Sequence, residues 1–166
     1  GMNLLPPKTM GTRPITDRVK ESVFNILYTR YGAFDGTSVA DLFCGTGSLG
    51  LEALSRGAEQ VVFFESDARV IDLLRRNIVK AGFDSRSIVR RANAFRFGFA
   101  SVPDARKFDV VFVDPPYRQS EDTAEDSQLG ALLSHLTDQI TPDGVIVVRT
   151  HEKVVLLDVY GGLVVV

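Results

Sequence analysis

Residues 41–50 have the sequence DLFCGTGSLG, and this stretch decides the fold. It begins within an apolar run at residues 38–43, which predicts a short strand, and continues into a predicted helix that extends to about Arg56. Gly45, Gly47 and Gly50 match the G-x-G-x-x-G spacing of turns that approach a cofactor closely. The stretch therefore predicts a strand, a glycine turn and a helix, an arrangement that binds nucleotide-like cofactors in α/β proteins.

The same alternation of strands and helices continues on both sides of the glycine turn. A helix is predicted to begin at Thr16 or Asp17 and to end before Gly32. Further strands are predicted at residues 61–65, 88–92, 108–113 and 144–150, with helices at residues 68–81 and 129–140. Residues 154–159 and 163–166 could pair as a terminal hairpin around Gly161 and Gly162. This order predicts βαβ units and a mostly parallel sheet.

Two cofactor classes fit the glycines, and the residue before them separates the two. Glu65 lies about 20 residues after Gly45, where a ribose-binding acid is expected in a dinucleotide site. Asp41, however, would repel a pyrophosphate at the helix N-terminus. A carboxylate there would suit a cationic methionine amine or a sulfonium, so the turn favours S-adenosylmethionine over NAD. Asn93 and Ala94, after the third strand, could contact an adenine, although Asn93 is also a common turn residue.

A second motif follows the apolar strand at residues 108–113. Asp114 is delivered to the carboxyl end of that strand, and Pro115 and Pro116 stiffen the loop that follows and remove two N–H donors. Tyr117 adds a flat ring. The Asp114 carboxylate and the Pro115 carbonyl could accept hydrogen bonds from the two N–H groups of an exocyclic amine, while Tyr117 stacks on the base that carries the amine. The loop therefore predicts methyl transfer to a planar amine.

Composition limits the function classes. The 166 residues suit one domain, and the net charge of −2 argues against a uniformly basic nucleic-acid coat. Cys44 is the sole cysteine, which suits the cytoplasm and excludes an internal disulfide, and the two histidines are too few for a zinc cluster. No apolar run approaches the roughly 20 residues of a membrane span, and no secretory leader pattern is present. We expect a cytoplasmic monomer without a metal or a membrane partner.

Residues 114–117 resemble the signature of amino-directed methyltransferases in general. Residues 41–58 (DLFCGTGSLGLEALSRGA) and 13–27 (RPITDRVKESVFNIL) resemble the RsmD family of bacterial methyltransferases. That family modifies the 2-amino group of one guanine in small-subunit (16S) ribosomal RNA, and the resemblance extends from about residue 13 to about residue 150. It implies a Rossmann-like class I S-adenosylmethionine-dependent methyltransferase with a seven-stranded sheet. The predicted domain covers residues 13–166. Residues 1–12 form an extended lead-in, in which Gly1 is interpreted as a residue left from cloning.

The resemblance and the local patterns together define the predicted site. The predicted catalytic residues are Asp114, Pro115, Pro116 and Tyr117. The predicted cofactor residues are Asp41, Phe43, Cys44, Gly45, Thr46, Gly47, Glu65, Ser66, Asn93 and Ala94, and the resemblance adds Thr16 and Asp17, which helix capping also explains. The predicted RNA contacts are Arg13, Arg18, Lys20 and Arg118.

Several functions stay open at this level. The main hypothesis is guanine-N2 methylation of ribosomal RNA or of an assembling small subunit. The same chemistry could act on adenine N6 of DNA or RNA, or on a protein glutamine. The chain could also be a non-catalytic RNA- or protein-binding relative, or an NAD-binding protein.

Overall fold

The computed structural model of the protein describes residues 14–96 and 106–166. Within them, the chain follows the predicted alternation of helices and strands. The helices are α1 (Asp17–Tyr31), α2 (Ser48–Ser55), α3 (Ala68–Ala81) and α4 (Gln128–Leu136). The strands are β1 (Ser38–Leu42), β2 (Gln60–Glu65), β3 (Ser87–Arg91), β4 (Phe108–Val113), β5 (Ile140–Val148), β6 (Val159–Tyr160) and β7 (Leu163–Val164). The α/β class is confirmed.

The five longer strands form one parallel sheet in the order β3-β2-β1-β4-β5. The strand order reverses between β1 and β4, and a crevice is expected beyond the carboxyl ends of the strands at such a point. The glycine turn follows β1, and Asp114 follows β4. The topology therefore brings the two predicted motifs side by side at one edge of the sheet.

The prediction of a seven-stranded sheet is wrong for the described residues. The sheet has five strands, and β6 and β7 form a separate two-stranded antiparallel hairpin. The hairpin is attached by a side chain instead of by ladder hydrogen bonds. Tyr160 is fully buried, and its hydroxyl donates to the carbonyl of Thr123 at 2.7 Å and accepts from the Leu157 N–H at 3.1 Å. Because Tyr160 supplies this anchor, the hairpin does not need to extend the sheet.

Some element boundaries also differ from the predicted ones. The helix predicted at residues 129–140 ends at Leu136, and after one 3-10 turn Ile140 already begins β5. Of the hairpin strand predicted at residues 154–159, Val159 alone is in a strand, which continues to Tyr160. Apolar side chains alone do not distinguish a helix end from a strand start, because both bury the same residue types.

Two apolar layers cover the sheet. One layer contains α1, α2 and α3, and it packs on the strand residues Val39, Val61, Phe63, Val110 and Phe112. The other layer contains α4 and the hairpin, and it packs on the strand residues Ala40, Leu42, Val62, Phe64, Val111 and Val113. The five residues of β1 are all buried, as expected for a central parallel strand with both faces covered. This rigid centre holds the loops at its carboxyl edge.

The helix termini agree with the sequence signals. Thr16 is the N-cap of α1, and its side chain accepts from the Val19 N–H at 3.3 Å. Gly82 ends α3 in the left-handed conformation, with φ of 73°. No helix among the described residues is long and apolar enough to cross a membrane.

Candidate active site

A cavity of about 430 Å³ opens at the carboxyl edge of the sheet, between the glycine turn and the loop after β4. This volume lies within the roughly 300–1,000 Å³ of small-molecule sites. Its walls combine the turns after β1, β2, β3 and β4. The predicted residues that line it are Asp41, Phe43, Cys44, Gly45, Thr46, Glu65, Ser66, Asn93, Ala94, Asp114, Pro115, Pro116 and Tyr117.

Three other predicted cofactor residues lie outside this wall. Gly47 is the N-cap of α2 and contributes to the turn by donating from its N–H to the Cys44 carbonyl at 2.9 Å. Thr16 caps α1 and Asp17 is exposed, whereas their neighbour Ile15 lines the cavity. Asp17 also lies 3.6 Å from the amine of Lys20. The segment before α1 therefore reaches the cavity through Ile15.

The glycine turn is held by strained and close-packed backbone. Gly45 and Gly47 have φ of 54° and 90°, and Phe43 has φ of 60°, which is uncommon for a bulky residue and costs free energy. The Phe43 ring lies 4.7 Å from that of Phe95, centroid to centroid. A Cβ atom on Gly50 would overlap the ring of Phe63 in β2. The third glycine of the motif thus allows α2 to pack directly on the sheet.

Asp41 is the most strongly perturbed carboxyl group of the site. It is 1% exposed, and its Oδ2 accepts from the Gly50 N–H at 2.8 Å. Burial raises the pKa of Asp41 to about 8, the Gly50 hydrogen bond opposes that rise, and the nearby carboxylates of Asp114 and Glu65 add to it. A cation bound beside Asp41 would relieve this destabilisation of its ionised form.

Glu65 ends β2 and ties two turns together. Its Oε2 accepts from the Gly45 N–H at 3.1 Å, and its Oε1 accepts from the N–H groups of Ser66 and Asp67 at 2.8 and 2.9 Å. The Ser66 hydroxyl also donates to Oε1, at 3.5 Å. Each carboxylate oxygen has about two acceptor positions, and Oε2 accepts the Gly45 bond alone among the hydrogen bonds of the described residues, so Oε2 keeps a position for a ribose hydroxyl. Asn93 is also engaged locally, since its Oδ1 accepts from the Phe95 N–H at 3.0 Å. Its turn-forming role is therefore present in the structure.

Cys44 does not have the environment of a nucleophile. It is 8% exposed, and burial raises the pKa of its thiol well above the usual range, with Asp41 and Glu65 acting in the same direction. A thiol in such surroundings stays protonated, and the thiolate is the reactive form. Cys44 packs within the glycine turn and lines the cavity.

Asp114 is paired with a residue that the motifs did not identify. Its Oδ1 lies 3.1 Å from Nε of Arg149, and both side chains are about four-fifths buried. Burial raises the pKa of Asp114 to about 6, and the Arg149 guanidinium limits that rise. Asp114 is therefore mostly ionised at neutral pH. The available signal for Arg149 was a lone basic residue at the end of an apolar strand.

Tyr117 and Arg118 begin a short 3-10 turn after the two prolines. The Tyr117 ring meets the His151 ring edge to face, with centroids 5.7 Å apart, and Arg118 is exposed. Arg18 is exposed on α1, while Lys20 is partly buried and lies 3.9 Å from Glu52. Arg13 lies outside the described residues.

The charges in the cavity wall favour a cationic ligand. Four acids, Asp41, Glu65, Asp67 and Asp114, line it, and the basic residue in the same wall, Arg149, is paired with Asp114. A pyrophosphate would face the carboxylates of Glu65, Asp67 and Asp114, whereas a sulfonium or an ammonium group would be attracted to them and would favour the ionised form of Asp41 as well. The residues present thus fit S-adenosylmethionine better than NAD. Within the described part of the chain, no group of three or more His, Cys, Asp or Glu could hold a metal ion.

Comparison with known proteins places this site within a family. The family model described as Conserved hypothetical protein 95 matches residues 1–166. YlbH of Bacillus subtilis, a candidate rRNA methyltransferase by its name, is 35% identical over 99% of this chain and 85% of its own length. Ribosomal RNA small subunit methyltransferase D of Escherichia coli is 38% identical over 121 residues, which are 72% of this chain. The chain spans little more than half of that protein, 57% of its length.

Solved structures give the same result. YhhF from Escherichia coli, a candidate methyltransferase by its name, superposes with a TM-score of 0.71 at 30% identity, over 100% of this chain and 80% of the other. The Thermus thermophilus protein TTHA0928 superposes with a TM-score of 0.72 at 25% identity, over 94% of this chain and 84% of the other. The resemblance inferred from the sequence is confirmed. The chain belongs to the family described as Conserved hypothetical protein 95, which is the RsmD family.

Proposed function

We propose that this protein is an S-adenosylmethionine-dependent methyltransferase that acts on ribosomal RNA, and specifically on the exocyclic 2-amino group of a guanine in 16S RNA. The observation that supports this most directly is the shared cavity, in which the Asp114–Tyr117 loop faces the glycine turn. The names of the relatives support rRNA as the substrate. An rRNA substrate agrees with a cytoplasmic location and with the assembling small subunit as partner.

Each end of the cofactor would be held by a different group of residues. Asp41 would bind its cationic methionine end or sulfonium, Glu65 its ribose, and Asn93 and Ala94 its adenine. Thr16 and Asp17 would support closure over the methionine end through Ile15. When bound, the cofactor supplies an electrophilic methyl group on a positively charged sulfur.

The Asp114–Tyr117 loop would prepare the acceptor amine. The lone pair of an exocyclic amine is delocalised into its ring, so the amine is a poor nucleophile. The Asp114 carboxylate and the Pro115 carbonyl would accept hydrogen bonds from its two N–H groups. These bonds would stabilise the positive charge that builds on nitrogen during attack. The new bond joins this nitrogen to the methyl carbon, and the N–H bond that breaks gives its proton to Asp114 or to water. Tyr117 would stack on the flipped base.

RNA docking would depend on basic residues around the cavity. Arg13, Arg18, Lys20 and Arg118 are the proposed phosphate contacts. Arg18 and Arg118 are exposed, so their replacement by Gln should weaken RNA binding and flatten its salt dependence. Binding measured from about 50 to 200 mM salt tests this, and an unchanged slope would remove these residues from the interface.

The decisive experiment incubates the protein with labelled S-adenosylmethionine and small subunits from cells that lack the modification. Mass spectrometry of the digested RNA should find one N2-methylguanine. Absence of transfer to any rRNA, with cofactor binding demonstrated by calorimetry, would sink the proposal. Detection of N6-methyladenine or of methylated protein glutamine would show that the protein methylates that acceptor instead of guanine. Asp114→Ala should abolish turnover while cofactor affinity is largely retained.

Cofactor choice has its own test. S-adenosylhomocysteine should raise the unfolding midpoint, whereas NAD should not, because only a ligand that binds the native state stabilises it. Stabilisation by NAD alone would contradict a preference of the acidic cavity for a cationic ligand.

A further inference from the structure

A second cavity, of about 380 Å³, adjoins the first on the side of α1 and β5. Its walls are largely aliphatic, and Val19 at its border is 45% exposed. The residues that line it are Ile15, Val19, Val23, Leu49, Val113, Asp114, Val147, Val148, Arg149, Thr150, His151, Glu152 and Val154. Leu49 is the single residue of the motif at residues 41–50 that lines this cavity, and none of the predicted cofactor residues does, so the cavity is suited to a different molecule.

The two cavities share a wall. Ile15, Leu49, Asp114 and Arg149 line both of them. The Asp114–Arg149 ion pair therefore lies between the place of the cofactor and the second cavity. His151, which lines the second cavity, also contacts Tyr117 of the first. An acceptor base in the second cavity would meet the reactive loop at this common wall.

The ion pair sets a carboxylate beside a guanidinium in a largely aliphatic wall that also contains Thr150, His151 and Glu152. Oδ1 of Asp114 lies 3.1 Å from Nε of Arg149. A carboxylate has about four acceptor positions on its two oxygens, so Asp114 retains acceptor capacity beyond this contact. A guanidinium has five N–H donors in a planar fork, so Arg149 can donate to more than one acceptor at the same time. The pair therefore places hydrogen-bond acceptors of Asp114 next to hydrogen-bond donors of Arg149.

This pattern complements one purine edge. The Watson–Crick edge of guanine places two donors, N1–H and N2–H, next to the acceptor O6, whereas adenine presents an unprotonated N1 beside its 6-amino group. A carboxylate would accept from both guanine donors but would face the lone pair of adenine N1. A guanidinium would donate to guanine O6 but would face the adenine amine. The apolar walls suit the faces of a purine, which enzymes commonly hold between apolar side chains.

We infer that the acceptor guanine enters the second cavity from the side of the Asp114–Tyr117 loop, so that Tyr117 still covers one face of the base, and that the Asp114–Arg149 pair selects guanine over other purines. Asp114 accepts from N1–H and N2–H, and Arg149 donates to O6. This inference rests on the proposed function and adds to it a binding site and a specificity residue.

The test replaces the target base. Once mass spectrometry has located the methylated guanine, small subunits are reconstituted with 2,6-diaminopurine at that position. This base keeps the 2-amino group but lacks N1–H and O6. The wild-type protein should prefer guanine by about 10- to 100-fold in kcat/KM, the range that a bidentate contact provides. Arg149→Gln should lower kcat/KM for guanine and bring the ratio towards one, while Arg149→Lys should restore part of it.

Two controls separate the inference from a folding defect. Arg75→Gln removes an exposed cation from α3 and should leave the base ratio unchanged. Val23→Phe fills the second cavity without touching the first, and should raise KM for the particle while the affinity for S-adenosylhomocysteine, measured by calorimetry, stays the same. Thermal melting of each variant checks that it folds.

Each outcome has a distinct meaning. Equal transfer to guanine and to diaminopurine would overturn the inference and leave the proposed function intact. If Val23→Phe loses cofactor affinity while its KM for the particle is unchanged, the second cavity belongs to the cofactor. That result would also overturn the inference. Absence of transfer to either base by the wild-type protein, with the cofactor bound, would overturn the proposed function and this inference together.

Discussion

Nε of Arg149 lies 3.1 Å from Oδ1 of Asp114, across two neighbouring parallel strands. The register of β4 and β5 produces this contact, because Val113 pairs with Val148 and the two charged residues come directly after that pair. The Arg149 N–H also donates to the Val113 carbonyl at 2.9 Å, which extends the ladder by one step. The pair is therefore a property of strand pairing between distant parts of the chain.

The first prediction concerns pH. Burial raises the pKa of Asp114 to about 6, and the ionised carboxylate is the form that stabilises the positive charge building on the amine. We expect kcat/KM for the RNA particle to fall about tenfold per pH unit below this pKa, because protonation removes the stabilising negative charge. Arg149→Met should move this limb to higher pH, since the guanidinium holds the pKa of Asp114 down. If the activity of the variant falls at the same pH as that of the wild type, the ion pair does not set the pKa that is seen in the profile.

The second prediction separates stability from cofactor binding at Asp41. The pKa of Asp41 is about 8 in the folded protein, against an ordinary value of 3.8, so ionisation is resisted by the fold. The contribution of Asp41 to stability is fully present below its ordinary pKa of 3.8. It is lost as the pH rises from that value through the folded pKa of about 8. Asp41→Asn retains an acceptor for the Gly50 N–H. We therefore expect the variant to melt at a higher temperature than the wild type about one pH unit above the folded pKa.

The same variant should bind the cofactor poorly. Loss of a charged hydrogen bond of about 1.5–3 kcal/mol should weaken S-adenosylmethionine binding by about 10- to 100-fold in calorimetry. Asp72→Asn, on the exposed face of α3, serves as control and should change neither property. An Asp41→Asn variant with full cofactor affinity would mean that Asp41 is structural only.

A third prediction distinguishes two glycines of the motif. Gly50→Ala would push a methyl group into the Phe63 ring and the Val61 side chain, and should destabilise the protein by about 1–3 kcal/mol. Gly45→Ala meets nothing within 4 Å but keeps φ of 54°, so the expected cost is the left-handed strain of about 1–2 kcal/mol.

A compensating substitution tells the two causes apart. Phe63→Leu in β2 should recover part of the stability that Gly50→Ala loses and none of that lost by Gly45→Ala. Urea denaturation of the single and double variants measures both couplings. Recovery in both pairs would argue against close packing as the specific requirement at Gly50.

The fourth prediction concerns Tyr117. Stacking of a base on an aromatic ring contributes about 1–3 kcal/mol, so Tyr117→Ala should raise KM for RNA by about 10- to 100-fold. Tyr117→Phe keeps the ring and its edge contact with His151, and should remain within a few-fold of the wild type. Steady-state kinetics at saturating cofactor provide the comparison. A Phe variant as weak as the Ala variant would transfer the role from the ring to the hydroxyl.

Much of the site could be predicted because it is coded by short segments. The glycine turn and the Asp114–Tyr117 loop each lie within ten residues, and each follows a strand with a clear apolar pattern. The parallel sheet then brings their carboxyl ends together, as the strand order requires. The Thr16 cap and the Gly82 stop were predicted from equally local rules.

The predictions that failed depended on contacts between distant segments. Residues 154–166 are rich in valine and leucine and resemble sheet strands. Whether they extend the main sheet depends on which edge they reach, and here buried Tyr160 fixes them on the α4 side. β5 began earlier than predicted because its pairing with β4 starts at Phe108 and Ile140, with a register shift before Val110.

By itself, the sequence determined the α/β class, the place of the glycine turn and the identity of the Asp114–Tyr117 loop, because local spacing and side-chain chemistry specify these features. Only the tertiary structure decided that Arg149 faces Asp114, that Ile15 and not Thr16 lines the cavity, and that a second cavity adjoins the first. The physical reason is register. A shift of one residue between β4 and β5 would reverse which side chains share a face, and no local pattern in either strand specifies that pairing.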